Sequence, residues 1–296
     1  MALREGHDTI SMSDLEFRGA GMDDEILVKD LPHELNESVV HAISAYTVAF
    51  VRVEERNGRR HCTLLGSGVL IAAAGVKAIL TAHHVVQVLP KTGRLCVMLE
   101  KTSEPHTLDT AGLVFLPIAR GSRDADGPDL GAVVLAPHLA GSIAAKKVFF
   151  NLDRRRDELL SEPPNVRDGV WFAQGFLEER TVATEDPDGG TTTRFYNFSG
   201  IGGPDGPVER GGYDYYEYPV THESRSEAPV SWGGMSGGGV WRVPLGRENG
   251  QVVPRHPVLS GVLFYQRPTT ATECGVVAHG PRSVYRVAYN SIVGEA

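Results

Sequence analysis

A run of glycines surrounds one serine in the last quarter of the chain. Residues 234–239 hold Met235 and Ser236 among four glycines. Glycine adopts positive φ without strain and lets another backbone or a ligand approach closely. A nucleophilic serine needs such a loop, because substrate must reach the hydroxyl and backbone N–H groups must face the oxygen that becomes negative. The run therefore predicts a tight turn that carries a reactive serine.

Two further reactive side chains precede this serine in the chain. His84 lies in the segment Thr81-Ala82-His83-His84-Val85, and Asp129 stands directly before an apolar run at 130–135. The order His, Asp, Ser is one of the orders in which hydrolytic triads occur. We therefore expect His84, Asp129 and Ser236 to act together.

Neighbouring residues offer alternatives for two of these positions. His83 adjoins His84 and competes with it as the base. Asp124 and Asp126 compete with Asp129, although neither adjoins an apolar strand. A plain glycine-rich turn would also satisfy the pattern around Ser236.

Composition limits the classes of function. The chain has 296 residues, 41% of them hydrophobic, which is enough to bury a sizeable core. Its net charge of −8 disfavours a nucleic-acid partner, which normally requires a basic surplus. No apolar run reaches the roughly 18 residues of a membrane span, so no membrane partner is expected. The N-terminus lacks the pattern of a secretory signal.

Cysteine usage indicates the compartment. The three cysteines, Cys62, Cys96 and Cys274, are too few and too uneven for a disulfide scaffold. Together with the missing signal, they predict a reducing, cytoplasmic location. His61 beside Cys62, and Cys274 with His279, lack the paired spacing of a zinc site. We expect neither a metal nor a cofactor.

The sequence contains many strand-like segments and little helical periodicity, which favours an all-β fold. We expect an acidic, loosely ordered leader over 1–36, a first barrel over 37–140, a connection over 141–166 and a second barrel over 167–296. Asn57-Gly58 between two strand-like runs predicts a hairpin turn. The apolar spacing over 283–293 predicts a short terminal helix.

These segments together resemble the trypsin/chymotrypsin family of serine peptidases. Gly66–Ile71 followed by Thr81-Ala82-x-His84 is similar to the strands that lead to that family's catalytic histidine. Asp129-Leu130-x-Ala132-Val133 and Gly234-x-Ser236-Gly237-Gly238 are similar to its aspartate and nucleophile motifs. Gly261–Phe264 resembles the strand that forms one wall of the substrate cleft. The resemblance covers about residues 40 to 295, and by its Thr-Ala-x-His motif the base is His84.

The resemblance implies two antiparallel six-stranded β-barrels with the triad between them. His84 and Asp129 would come from the first barrel and Ser236 from the second. It also implies the chemistry of a serine endopeptidase that forms an acyl-enzyme intermediate on a protein or peptide. The N–H groups of Gly234 and Ser236 would form the oxyanion hole. A bacterial-type, intracellular member of the family fits the composition.

Departures from the family pattern carry further expectations. Met235 stands where zymogens of this family carry the aspartate that pairs with a freshly cut N-terminus, and a thioether cannot hold an ammonium. We therefore expect activity without N-terminal cleavage. Val85 replaces a common cysteine, which excludes the disulfide of secreted relatives. Phe264 replaces a serine that often supports the aspartate.

Specificity depends on four candidate substrate-binding residues. Val230 and Ser231 lie where trypsin has an acidic pocket base, so a basic substrate residue would find no counter-charge. Gln266 stands where relatives often have glycine and would narrow the pocket, beside Phe264. We expect small or apolar residues before the scissile bond.

The same residues allow one alternative fold and two alternative functions. The segment 234–238 also matches the Gly-x-Ser-x-Gly elbow of α/β-hydrolases, but that fold needs its acid and histidine after the serine. An esterase would use the same triad. A catalytically silent binding or scaffold protein would keep the barrels without turnover. For a peptidase, we expect targeting to depend on the long second-half loops or on a regulatory protein partner.

Overall fold

The computed structural model describes residues 9–11, 16–18, 25–27, 32–56, 59–99, 104–121, 126–162, 164–185, 191–221, 229–267 and 273–295. Most of these residues lie in strands. Three short strands come first, namely β1 (Thr9–Ser11), β2 (Glu16–Arg18) and β3 (Glu25–Leu27). β2 pairs with β3, whereas β1 pairs in parallel with a strand far along the chain.

The first sheet is built from the first half of the chain. Its order is β8-β7-β4-β5-β6-β10-β9, with β11 paired to β5. The strands are β4 (Thr47–Arg56), β5 (Arg59–Ala73), β6 (Val76–Thr81), β7 (Arg94–Met98), β8 (His106–Asp109), β9 (Leu113–Ala119), β10 (Leu130–Leu135) and β11 (Phe150–Asn151). All pairs except β11 with β5 are antiparallel. β4 and β5 pair up to Arg56 opposite Arg59, which confirms the hairpin, and the turn residues 57 and 58 lie outside the described residues.

The second sheet is built from the second half of the chain and β1. Its order is β1-β15-β12-β18-β21-β22-β17-β16. Its later strands are β12 (Val170–Phe176), β15 (Asn197–Ile201), β16 (Pro207–Arg210), β17 (Tyr213–Thr221), β18 (Gly239–Val243), β21 (Val258–Gln266) and β22 (Glu273–His279). Two separate hairpins join β13 (Val182–Glu185) to β14 (Thr191–Arg194) and β19 (Leu245–Glu248) to β20 (Gln251–Pro254).

Helices are short and lie between or after the strands. They are α1 (His33–Ser44), α2 (His83–Val88), α3 (Pro137–Ala144), α4 (Arg156–Ser161) and α5 (Tyr289–Gly294), with 3-10 turns at Thr110–Gly112 and Asp153–Arg155 and a π-helix at Ser283–Ala288. In the described part of the chain, none of these helices has the length and apolar character that crossing a membrane requires.

The predicted all-β architecture with a short C-terminal helix is confirmed. Each sheet has eight strands, two more than the six predicted for it. The predicted terminal helix over 283–293 begins as a π-helix and continues as α5. Residues 195 and 196 separate β14 from β15.

Helix α1 was not predicted, and it begins inside the segment assigned to the leader. Its buried positions are Leu35, Val39, Val40 and Ile43, a spacing that places them on one face. These residues belong to the same apolar cluster as strand residues of both sheets, such as Ile71 and Trp241. The leader also contributes β1 to the second sheet. The chain is therefore integrated into the core before residue 37.

The contribution of α1 to stability can be tested at Ile43, which is fully buried. We expect Ile43→Ala to lower the free energy of unfolding by about 2–5 kcal/mol, because it removes buried methyl groups and leaves a cavity. The exposed Glu37 on the same helix is the control, and Glu37→Ala should change stability by less than about 0.5 kcal/mol. Urea denaturation measures both values. Equal effects of the two substitutions would show that α1 does not dock on the core.

Candidate active site

His84 and Asp129 form a directly bonded pair. His84 lies in the first turn of α2, which follows β6, and Asp129 directly precedes β10. Nδ1 of His84 lies 2.5 Å from Oδ2 of Asp129, and the backbone N–H of His84 donates to Oδ1 at 2.9 Å. The Asp129 side chain is 0% exposed. With Nδ1 donating to the carboxylate, Nε2 is the free acceptor of the neutral ring, as a general base requires.

The competing residues have other partners or lie outside the described residues. His83 is buried, and its Nδ1 lies 3.0 Å from the carbonyl oxygen of Gly121. Asp126 forms an ion pair with Arg210 at 2.9 Å. Asp124 is outside the described residues. Of the two adjacent histidines, the one bonded to a buried carboxylate is therefore His84.

The loop that carries Ser236 requires glycine at two positions. Gly234 and Gly237 both have φ of +87°. A Cβ on Gly234 would lie 2.4 Å from Leu64, and one on Gly237 would lie 2.0 Å from the Thr81 hydroxyl. Neither site can hold a side chain without movement of its neighbours. The sequence-based expectation of a constrained turn at this serine therefore has a steric basis.

The backbone N–H groups of this loop fall into two sets. Those of Met235, Gly237 and Gly238 donate to carbonyl oxygens at 3.1, 2.7 and 2.7 Å. Within the described part of the structure, the N–H groups of Gly234 and Ser236 have no protein acceptor. Two unused donors two residues apart are the chemical requirement for binding an oxyanion.

The Ser236 hydroxyl is directed at a backbone group in this structure. Its Oγ donates a long hydrogen bond of 3.5 Å to the carbonyl oxygen of Phe264. Ser236 and His84 line the same cavity. Catalytic hydrogen bonds are often long before substrate binds.

Ser67, on β5 of the first sheet, holds the serine loop in place. Its hydroxyl donates to the carbonyl oxygen of Gly234 at 2.7 Å and accepts from the N–H of Phe176 at 2.8 Å. Its own N–H donates to the carbonyl oxygen of Ser236 at 2.8 Å. The sequence analysis placed Ser67 in a strand and gave it no role, because its partners lie more than a hundred residues away.

The cavity at the site has a volume of about 600 Å³. One wall is formed by Leu263–Gln266 of β21, and the other includes Leu64, Leu65 and the end of α2. Its charged lining residues in the described part of the chain are Arg52 and Glu178, both exposed. The cavity is therefore an open cleft between the two sheets, with the serine at its base.

The four predicted substrate-binding residues do not all lie in this cleft. Ser231, Phe264 and Gln266 line it. Val230 is not among its lining residues and is 65% exposed. The Gln266 amide joins β21 to the segment 230–232. Its Oε1 accepts from the N–H of Trp232 at 2.9 Å, and its Nε2 donates to the carbonyl oxygen of Val230 at 3.1 Å.

No metal site emerges from the described residues, where no group of three or more His, Cys, Asp or Glu side chains is suitably placed. None of the three cysteines forms a disulfide. Cys274 and His279 lie five residues apart on β22, so their side chains point to opposite faces of the sheet. His61 and Cys62 are successive residues of β5 and also face opposite ways.

Comparisons with known proteins show only distant similarity. No protein-family model and no curated protein matches the chain. Among solved structures, a mutant of the tobacco etch virus protease is 12% identical with a TM-score of 0.39, over 84% of this chain and 79% of that one. The tobacco vein mottling virus protease is 11% identical with a TM-score of 0.38, over 81% of this chain and 79% of that one.

A third solved structure, from work on the intrinsically disordered Sesbania mosaic virus VPg protein, is 13% identical with a TM-score of 0.41. The match covers 82% of this chain and 90% of that chain. Identity and TM-score are low in all three cases, so the chemistry of the site follows from its own residues.

The role of Ser67 predicts a specific stability defect. Ser67→Ala would remove a hydrogen-bond partner from the half-buried Gly234 carbonyl and from the buried Phe176 N–H, and a buried group left unsatisfied costs about 1–3 kcal/mol. We expect a total loss on the order of 2–4 kcal/mol in urea denaturation. The matched control is Ser260→Ala, because Ser260 is equally buried but bonds only to Val258 two residues away. Losses of the same size in both variants would contradict this role.

Proposed function

We propose that this protein is a serine endopeptidase that hydrolyses peptide bonds in protein or peptide substrates. One observation carries the proposal: His84, Gly234 and Ser236 line a single cleft, His84 is bonded to the buried Asp129, and two backbone N–H donors of the serine loop are unused among the described residues. Nucleophile, base, orienting acid and oxyanion donors are together the groups that acyl transfer to water needs.

In the proposed first step, Ser236 attacks the carbonyl carbon of the scissile bond. The hydroxyl turns from the Phe264 carbonyl to Nε2 of His84, which accepts its proton. Asp129 stabilises the resulting imidazolium and keeps the ring in the required tautomer. The N–H groups of Gly234 and Ser236 bind the tetrahedral oxyanion, and losing one such donor typically costs about a hundredfold or more in rate.

In the following steps, His84 returns the proton to the leaving amine and the C–N bond breaks. The acyl group remains on Oγ of Ser236 as an ester. A water molecule, deprotonated by His84, then attacks this ester, and the proton passes back to the serine as the acid product leaves.

Activity without N-terminal cleavage is part of the proposal. Met235 is buried, and its N–H is bonded to the Trp232 carbonyl oxygen at 3.1 Å. Ser67 bonds to the carbonyl oxygens on both sides of Met235. These contacts order the loop without an ammonium group, so we expect a constitutively formed oxyanion hole.

The proposed specificity is for a small residue before the scissile bond. The Gln266 amide spans the gap between β21 and the segment 230–232, and Trp232 in that segment is buried. A long substrate side chain could not pass between these segments without breaking both hydrogen bonds. Among the described residues the gap also lacks a buried carboxylate that could pair with lysine or arginine.

A fluorophosphonate probe tests the nucleophile. We expect wild-type protein to be labelled and Ser236→Ala to be unlabelled, because the probe reacts only with an activated hydroxyl. Asp129→Asn should slow labelling on the order of 10⁴-fold, because the wrong tautomer of His84 is then favoured. Labelling is followed by intact-mass spectrometry, and peptide mapping of the labelled protein identifies the modified residue.

The matched control for this test is Ser142, whose hydroxyl lies 3.0 Å from Nε2 of His106 elsewhere on the first sheet and α3. Ser142→Ala should be labelled like wild type. Absence of labelling in the wild type would favour the binding or scaffold function. Labelling with hydrolysis of esters but of no peptide in a diverse library would favour the esterase.

Substitution of Gln266 tests the specificity. We expect Gln266→Gly to open the gap and to raise cleavage after large apolar residues at least about tenfold relative to cleavage after alanine. A peptide library that varies only the residue before the scissile bond measures the ratio in both proteins. Unchanged preference in Gln266→Gly, or wild-type cleavage mainly after lysine or arginine, would contradict this model.

A further inference from the structure

We infer that His279 is a positioning residue of the proposed catalytic site, which fixes Asp129 from the opposite sheet by accepting a hydrogen bond from its backbone N–H. This inference rests on the proposed function, because it gives a role within the same triad. The sequence analysis considered His279 only as a metal ligand.

The position of His279 places it between the two sheets. It ends β22, which lies between β17 and β21 in the second sheet, and it is paired in register with Tyr215 and Val262. Its side chain is 0% exposed. Nε2 accepts from the N–H of Asp129, at the start of β10 in the first sheet, at 3.0 Å. The bond therefore links the second sheet, whose loop carries Ser236, to Asp129 of the first sheet.

The hydrogen-bonding state of the ring argues against a purely packing role. Since Nε2 accepts a hydrogen bond, the neutral ring carries its proton on Nδ1. Nδ1 is buried and has no hydrogen-bond partner among the described residues. Leaving such a donor unpaired is unfavourable, and an apolar residue would fill the same space without this cost. The acceptor at Nε2 is thus the feature that distinguishes histidine from an apolar side chain here.

The surroundings keep this ring neutral. The rings of Tyr213, Tyr215 and Phe264 lie 5.6, 5.1 and 4.6 Å from it, centroid to centroid. The titratable groups packed against it are the two tyrosines and Asp129. Burial lowers the pKa of His279 to about 4, and this effect exceeds the opposing attraction of Asp129. Across neutral pH, Nε2 therefore remains an acceptor.

The effect on the site passes through the main chain of Asp129. Both carboxylate oxygens of Asp129 are committed to His84, one to Nδ1 and one to the backbone N–H. The backbone N–H bonded to His279 belongs to the same residue, so losing that bond would free the carboxylate to shift relative to the imidazole. Phe264 stands where the resemblance expects a serine that supports the aspartate, and it packs on His279 instead. His279 supports Asp129 at its backbone N–H rather than at its side chain.

Fluorophosphonate inactivation kinetics of the full chain test the inference. We expect His279→Phe, which keeps an aromatic ring but removes the acceptor, to lower the maximal inactivation rate at least about tenfold with an unchanged inhibition constant. His279→Gln keeps an acceptor oxygen and should react within a few-fold of wild type. His256→Phe, at an exposed histidine, is the matched control.

A role in packing alone would give a different result. Thermal melts give the folded fraction of each variant, and inactivation rates are divided by that fraction. If His279→Phe does not fold, His279→Met takes its place. An acceptor-free variant with the wild-type inactivation rate would overturn the inference. A loss of inactivation rate in His279→Gln as large as that in His279→Phe would also overturn it.

The failure of the proposed function is a separate outcome. If the wild type is not labelled, the peptidase mechanism fails, and the low-field proton NMR signal of the His84–Asp129 hydrogen bond tests the positioning role directly. We expect that signal in wild type and in His279→Gln and its loss in His279→Phe. Its persistence in His279→Phe would overturn the inference.

Discussion

The hydrogen bonds between the two sheets are the interaction on which the rest of this structure depends. Ser67 of the first sheet bonds to both carbonyl groups that flank Met235, and His279 of the second sheet bonds to Asp129 of the first. Each bond joins segments more than a hundred residues apart, and the bond between His279 and Asp129 is buried. The cleft has its shape because these bonds fix the register of one sheet against the other.

This arrangement explains how a site can be divided between two halves and still be well defined. His84 and Asp129 are held by strands and a helix of one sheet, and Ser236 is held by a loop of the other. Productive chemistry requires the two halves to meet within fractions of an ångström. Apolar contacts such as those around Trp241 supply most of the attraction, but they are not directional. The hydrogen bonds between the sheets are directional, so they define how one sheet is placed against the other.

The sequence predicted the local features of this fold well. The strand at 130–135 has the predicted bounds, and β4 and β5 pair as the turn signal between them predicts. The choice of His84 over His83 depended on a motif, and the Asp129 contact agrees with it. Helix α1 was missed although its apolar spacing is regular, because the acidic composition of the preceding residues was extended into it.

The features that the sequence did not reveal depend on long-range contacts. Ser67 is an unremarked strand serine until Gly234 is folded against it, and His279 was grouped with Cys274 because the two are close in sequence. The alternation of side chains along β22 separates that pair and turns His279 to Asp129. The bridge formed by Gln266 likewise needed both of its partners to be positioned. No local pattern contains this information.

The steric confinement of Gly234 and Gly237 makes mutational tolerance unequal across the cleft. Any side chain at either position would collide with atoms of the first sheet, at Leu64 or at Thr81. The serine turn is thus closed to side chains, whereas Gln266 of β21 meets the segment 230–232 through its side-chain amide. Evolution or laboratory selection that alters which substrates are accepted would therefore accumulate changes along β21 and leave the turn untouched.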